Sequence, residues 1–85
     1  MKLIATFYSH FGAMRFANKC KDNGCNAKLM PVPRTLSSSC GTCVSYEYEE
    51  VCPVSADDKM VYAEIEQIVE VTADGYTQLY RAKNS

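Results

Sequence analysis

The apolar pattern of this chain switches repeatedly between a period of two and helical spacing, and that alternation limits the folds open to it. Residues 2–8 are rich in β-branched and aromatic side chains and read as a central strand. Ser9 follows as a helix N-cap, because its hydroxyl can accept a bond from a free first-turn amide. Ala13, Phe16, Ala17 and Cys20 then share one face at helical spacing, through about Asp22. Asn23-Gly24 closes the helix, with Gly24 able to take the left-handed conformation. Residues 25–32 form a second strand with Cys25, Ala27 and Leu29 on one face and Asn26, Lys28 and Met30 on the other. Pro31 and Pro33 lack backbone donors, which places this strand at an edge and ends it there.

The second half repeats the alternation. Val44, Tyr46 and Tyr48 alternate with Ser45, Glu47 and Glu49, a half-buried third strand. Ser55, Ala56, Asp57 and Asp58 open a second helix, acidic in its first turn as the helix dipole prefers. Val61, Ile65, Ile68 and Val69 supply its apolar stripe. Asp74-Gly75 is a turn, residues 76–81 a last strand, and the tail from Ala82 frays. The order β-α-β-β-α-β predicts an α+β fold of ferredoxin-like type, a four-stranded antiparallel sheet with two helices on one face. The exposed edge invites pairing with a second copy, a homo-oligomer through an edge strand. The 85 residues suffice for one domain over 1–85, with a thin core. Net charge of -1 gives no electrostatic reason to expect nucleic acid or an anionic membrane as partner. No stretch is long enough to span a membrane, and the quickly polar start is no signal peptide. Five cysteines without an export signal then point to thiols kept reduced in the cytoplasm.

Chemistry concentrates between the second and third strands. Cys40 and Cys43 stand three residues apart on a small-residue loop after the elbow Pro31-Val32-Pro33-Arg34. Small neighbours leave the Cys40 sulfur accessible, and Gly41 lets the backbone bend beside it. Amides from Ser38 to Gly41 are expected to curl into an anion-holding nest, with Arg34 adding positive charge, so that the Cys40 thiolate is favoured. Cys43 is equally well read as a small buried hydrophobe at the start of the third strand. The strand pattern after the pair argues against a thioredoxin-type helix N-terminus but leaves dithiol chemistry open. A zinc site from Cys40, Cys43, Cys52 and His10 lacks a second Cys-x-x-Cys or a histidine pair, and no metal or other cofactor is expected. His10 reads as a solvated helix-start side chain, and Cys20 and Cys25 as core residues. A phosphate loop, a His-x-x-x-His pair and a nucleophile elbow are all missing.

The strand end Phe7-Tyr8-Ser9-His10, the proline elbow, and the run Ser37-Ser38-Ser39-Cys40-Gly41 together resemble the selenium/sulfur carrier-like family over most of the chain. The resemblance implies that Cys40 is the carrier thiol and that Arg34, Ser37, Ser39 and Gly41 shape its loop. It implies a role in holding sulfur or selenium on cysteine, between a donor enzyme and an acceptor protein, rather than turnover catalysis. Cys43 departs from the family pattern and supplies a second thiol that can resolve the loaded Cys40. Two rivals remain: a dithiol redox or metal-handling module using the same pair, and a regulatory domain whose loop is only a docking surface.

Overall fold

The structure, a computed structural model, describes residues 1–36, 38–55 and 57–82. Its elements run β1 (Lys2–Phe7), α1 (His10–Asp22), β2 (Asn26–Pro31), β3 (Thr42–Glu47), α2 (Lys59–Tyr62), β4 (Ile65–Thr72) and β5 (Gly75–Arg81). The strands form one antiparallel sheet in the order β2-β3-β1-β4-β5, with β2 at an edge, where Pro31 can be accommodated. The sheet therefore has five strands, where the sequence pattern predicts four, and the fold is not the plain ferredoxin-like arrangement.

The first half forms for the reasons its sequence suggests. Ser9 has an extended backbone, and its hydroxyl accepts the Gly12 amide at 3.0 Å, capping α1. Gly24, at φ 74°, ends α1 in a Schellman turn, in which Cys25 N–H donates to Cys20 O (2.8 Å) and Gly24 N–H to Lys21 O (3.1 Å). Ala13, Phe16, Ala17 and Cys20 are buried as one face. They pack on Leu3, Ala5 and Phe7 of β1 and on Val44 and Tyr46 of β3. The Phe16 ring lies 5.1 Å from Phe7 and 5.3 Å from Tyr46, centroid to centroid, both inclined. Such tilted aromatic contacts add specificity to burial. Val61 of α2 joins the same cluster, so both helices cover one face of the sheet.

The second helix is where expectation and structure part. Only one turn forms, capped by Asp58 rather than by the run from Ser55. Residues 65–72, read as helical from Ile65, Ile68 and Val69, are β4, the strand that hydrogen-bonds β1 and β5. The cause is a β-bulge. Thr6 pairs with Gln67 and Phe7 with Ile65, which leaves Glu66 without a partner on β1. One extra residue puts Ile65 and Ile68, three apart, on the same helix-covered face. That spacing imitates a helical stripe. The opposite face carries a smaller cluster of Ile4, Cys43 and Val69, flanked by Met30, Val32, Leu36 and Val71. Ala56 and the tail residues 83–85 lie outside the described residues. Among the described residues no helix is long and apolar enough to cross a membrane.

Candidate functional site

The connection from β2 to β3 wraps around one end of the sheet. Its neck is closed where Val32 N–H donates to Gly41 O at 3.0 Å. Just inside, Leu36 N–H donates to Pro33 O at 3.0 Å, turning the chain after the elbow. Val32 and Leu36 lie on the helix-free face, against the Cys43 cluster. The loop then crosses the end of the sheet, where the Ser38 hydroxyl donates to Phe7 O at 3.3 Å. Cys40 arrives on the helix-covered face, half-buried against the main core. Gly41 has φ 76° with open space around its Cα, so only its backbone conformation, and no close neighbour, calls for glycine.

Long-range contacts pin this loop. The bulged Glu66 reaches it from β4, accepting from Ser39 N–H at 3.1 Å and from the Ser39 hydroxyl at 2.8 Å. Bulges commonly re-aim a side chain in this way. His10 Nδ1 lies 3.1 Å from Thr42 Oγ1, tying the first residue of α1 to the first of β3. The Cys40 thiol donates to Thr42 O at 3.4 Å. A cavity of about 270 Å³ lined by Tyr8, Ser39, Glu66, Arg81 and Ala82 opens beside the loop.

These contacts revise the expected electrostatics. The Ser39 amide, expected to help cradle an anion, is already bonded to the Glu66 carboxylate, so the run from Ser38 to Gly41 is not an open nest. Arg34 sits exposed on the turn after β2. Ser37 lies outside the described residues. His10 is exposed, as its position at the helix start suggests, but it also bonds next to the cysteine loop. Glu66 and Thr42, both central to the loop's anchoring, were not singled out by the sequence pattern, Glu66 because it falls inside a segment that reads as helix.

The two thiols of the Cys-x-x-Cys run are separated by the sheet. Cys40 packs on the helix side, whereas Cys43 is wholly buried on the other face with Ile4 and Val69. Its thiol donates weakly to Pro31 O at 3.7 Å. Burial, and secondarily the nearby Cys40, pushes the Cys43 thiol up to about 11. Strand parity carried this information. With Val44, Tyr46 and Tyr48 facing the helices, Cys43 must face away.

The remaining thiols gather at the far end of α1. Cys20 and Cys25 are buried in the main core, as expected, and Cys52 is half-buried against it. Cys52 is therefore remote from His10, at the opposite end of the helix. Among the described residues no group of histidine, cysteine and carboxylate side chains is arranged to hold a metal ion.

No curated protein and no solved structure matches this chain. A family model described as "Putative Se/S carrier protein-like" matches residues 2–80, nearly the whole sequence, and the chain belongs to that family.

Proposed function

We propose that the domain holds sulfur or selenium on Cys40 as a persulfide or perselenide and passes it from a donor enzyme to an acceptor protein. The observation that carries this reading is the setting of Cys40: a part-exposed thiol on a loop anchored to β1, to β4 and across its own neck. Family membership supports it at the level of the carrier role. Loading needs no external redox agent. The Cys40 sulfur attacks the outer chalcogen of a donor persulfide, the donor's own sulfur–chalcogen bond breaks, and the donor departs as a thiol with the proton. Delivery is the same exchange with the acceptor thiol as nucleophile.

The position of Cys43 weighs against the resolving role its spacing suggests. It lies across the sheet from Cys40, and a thiol titrating at about 11 is almost entirely neutral at pH 7. The same geometry weighs against a Cys40–Cys43 dithiol redox or metal module. Cys43 is better read as a packing residue that seals the elbow to the sheet.

Reduced protein incubated with glutathione persulfide tests this by mass spectrometry. One added sulfur should map to Cys40, Cys40→Ser should stay unloaded, and Cys43→Ala should load and discharge at the parent rate. Loading that persists in Cys40→Ser refutes the site. Slower discharge in Cys43→Ala restores the resolving role.

A further inference from the structure

The Schellman turn that ends α1 has cysteine at both of the positions whose side chains such a turn brings into contact. Cys25 N–H closes onto Cys20 O at 2.8 Å across Gly24. In this motif the residue after the glycine packs against the one five positions before it, a contact commonly apolar. Here the two positions carry thiols, both buried in the same core cluster. The Cys25 thiol also lies 3.2 Å from Glu47 O, at the end of β3.

A third thiol is held over the same spot. The Asn23 side-chain amide donates both to Lys19 O and to Pro53 O, each at 3.0 Å, and so fastens the segment after β3 to the helix end. Cys52, next to Pro53, packs half-buried on the cluster that contains Cys20 and Cys25. Tyr46 is buried in the same cluster, with its hydroxyl donating to Val51 O next to Cys52. None of these groups takes part in the proposed carrier site, which is at the other end of α1.

We propose that Cys20, Cys25 and Cys52 form a second thiol site, which accepts a low-molecular-weight disulfide at Cys52 and closes to a Cys20–Cys25 disulfide. Cys52 reacts first because it is the most exposed of the three. Its sulfur attacks the reagent's disulfide, forming a mixed disulfide and releasing one reagent thiol. The Cys25 sulfur attacks the Cys52 sulfur and releases the second reagent thiol. The Cys20 sulfur then attacks Cys25, freeing Cys52 as a thiol. In sum two cysteine thiols lose two electrons and two protons, and the reagent disulfide is reduced to two thiols. Burial, and then Cys25, push the Cys20 thiol well up, so its attack is the slow final step and depends on the closeness that the turn imposes on Cys20 and Cys25, which Cys40 and Cys43 on opposite faces of the sheet lack. The turn's own bond from Cys25 N–H to Cys20 O already holds the two backbones together, which favours closure at the helix end. This inference stands apart from the carrier reading and survives its failure.

Folded protein is treated with oxidised glutathione, blocked with N-ethylmaleimide and digested with trypsin. Cleavage at Lys19, Lys21 and Lys28 separates Cys20 from Cys25, so their disulfide appears as a linked pair of short peptides. That pair is expected as the main product in the parent and in Cys40→Ser. Cys52→Ala should form it about tenfold more slowly, through direct attack on the nearly buried Cys25. A main product linking Cys40 to Cys43, or no linked peptide while Cys40 becomes glutathionylated, overturns the proposal. An unchanged rate in Cys52→Ala overturns the relay through Cys52.

Discussion

Raising the pH should separate Cys43 as a packing residue from Cys43 as a reactive thiol. Its titration point moves from 9.0 for an ordinary thiol to about 11 in the fold. The folded state therefore keeps its proton where the unfolded chain has lost it. The stability linked to this group is fully present below about pH 9 and is lost as pH rises towards 11. The loss approaches ~1.4 kcal/mol per pH unit across that window, or about 3 kcal/mol in all. Cys43→Ala removes the dependence but leaves a small cavity beside Ile4 and Val69, costing ~1 kcal/mol at neutral pH. The two stability curves should then cross at about pH 10, with the variant the more stable above it. Cys20, Cys52 and Tyr46, all pushed up by burial, weaken both proteins alike and cancel in the comparison. Urea unfolding under reducing conditions, followed by far-ultraviolet circular dichroism because the chain has no tryptophan, reads the difference directly. Parallel curves between pH 8 and 10.5 would refute the reasoning and show that Cys43 ionises in the fold as readily as in the unfolded chain.

Other consequences can be measured independently. Phe16→Ala removes the ring between Phe7 and Tyr46 and should cost ~3–5 kcal/mol in urea unfolding; a loss under 1 kcal/mol would mean that the α1 face is not the core. Gly12→Ala adds a methyl 2.6 Å from Glu64 Cβ, an overpacking cost of ~1–3 kcal/mol that outweighs the gain in helix propensity. A higher melting temperature in that variant contradicts the close approach of α1 to the chain before β4. Glu66→Ala frees the Ser39 amide and hydroxyl, so iodoacetamide should label Cys40 several-fold faster while Cys20 is unaffected. Unchanged Cys40 labelling would show that Glu66 does not restrain the loop.

Legibility in this sequence follows the range of the interactions involved. β1, the Ser9 cap, the apolar face of α1 and the Gly24 stop depend on neighbours within a few residues, and each is visible in composition and spacing. The edge position of β2 follows from Pro31 for the same reason. β4 does not, because its inward spacing is set by a bulge at Glu66, and the bulge is defined only by pairing with β1. The segment Ile65-Glu66-Gln67-Ile68-Val69-Glu70-Val71-Thr72 is rich in β-branched residues, and weighing that composition above the three-residue spacing would have identified it as strand. The exposure of Cys40 could be read from its small neighbours, but the bonding of its loop could not. That bonding comes from Glu66, 27 positions away from Ser39.

The separation of Cys40 from Cys43 bears on why a carrier should tolerate a second thiol so close in sequence. A persulfide on Cys40 is vulnerable to any thiolate that can reach its inner sulfur, since closure to a disulfide expels the outer chalcogen. On a flexible loop, a thiol three residues away would be such a nucleophile. Here Thr42 begins β3, and its pairing with Pro31 commits the chain to strand alternation before Cys43 is reached. Alternation turns Cys43 to the face opposite Cys40, and Val32 and Leu36 fold over that face. Burial then keeps the thiol neutral. In the carrier reading, strand pairing at the neck of the loop protects the cargo, and discharge is left to a thiol supplied by the acceptor.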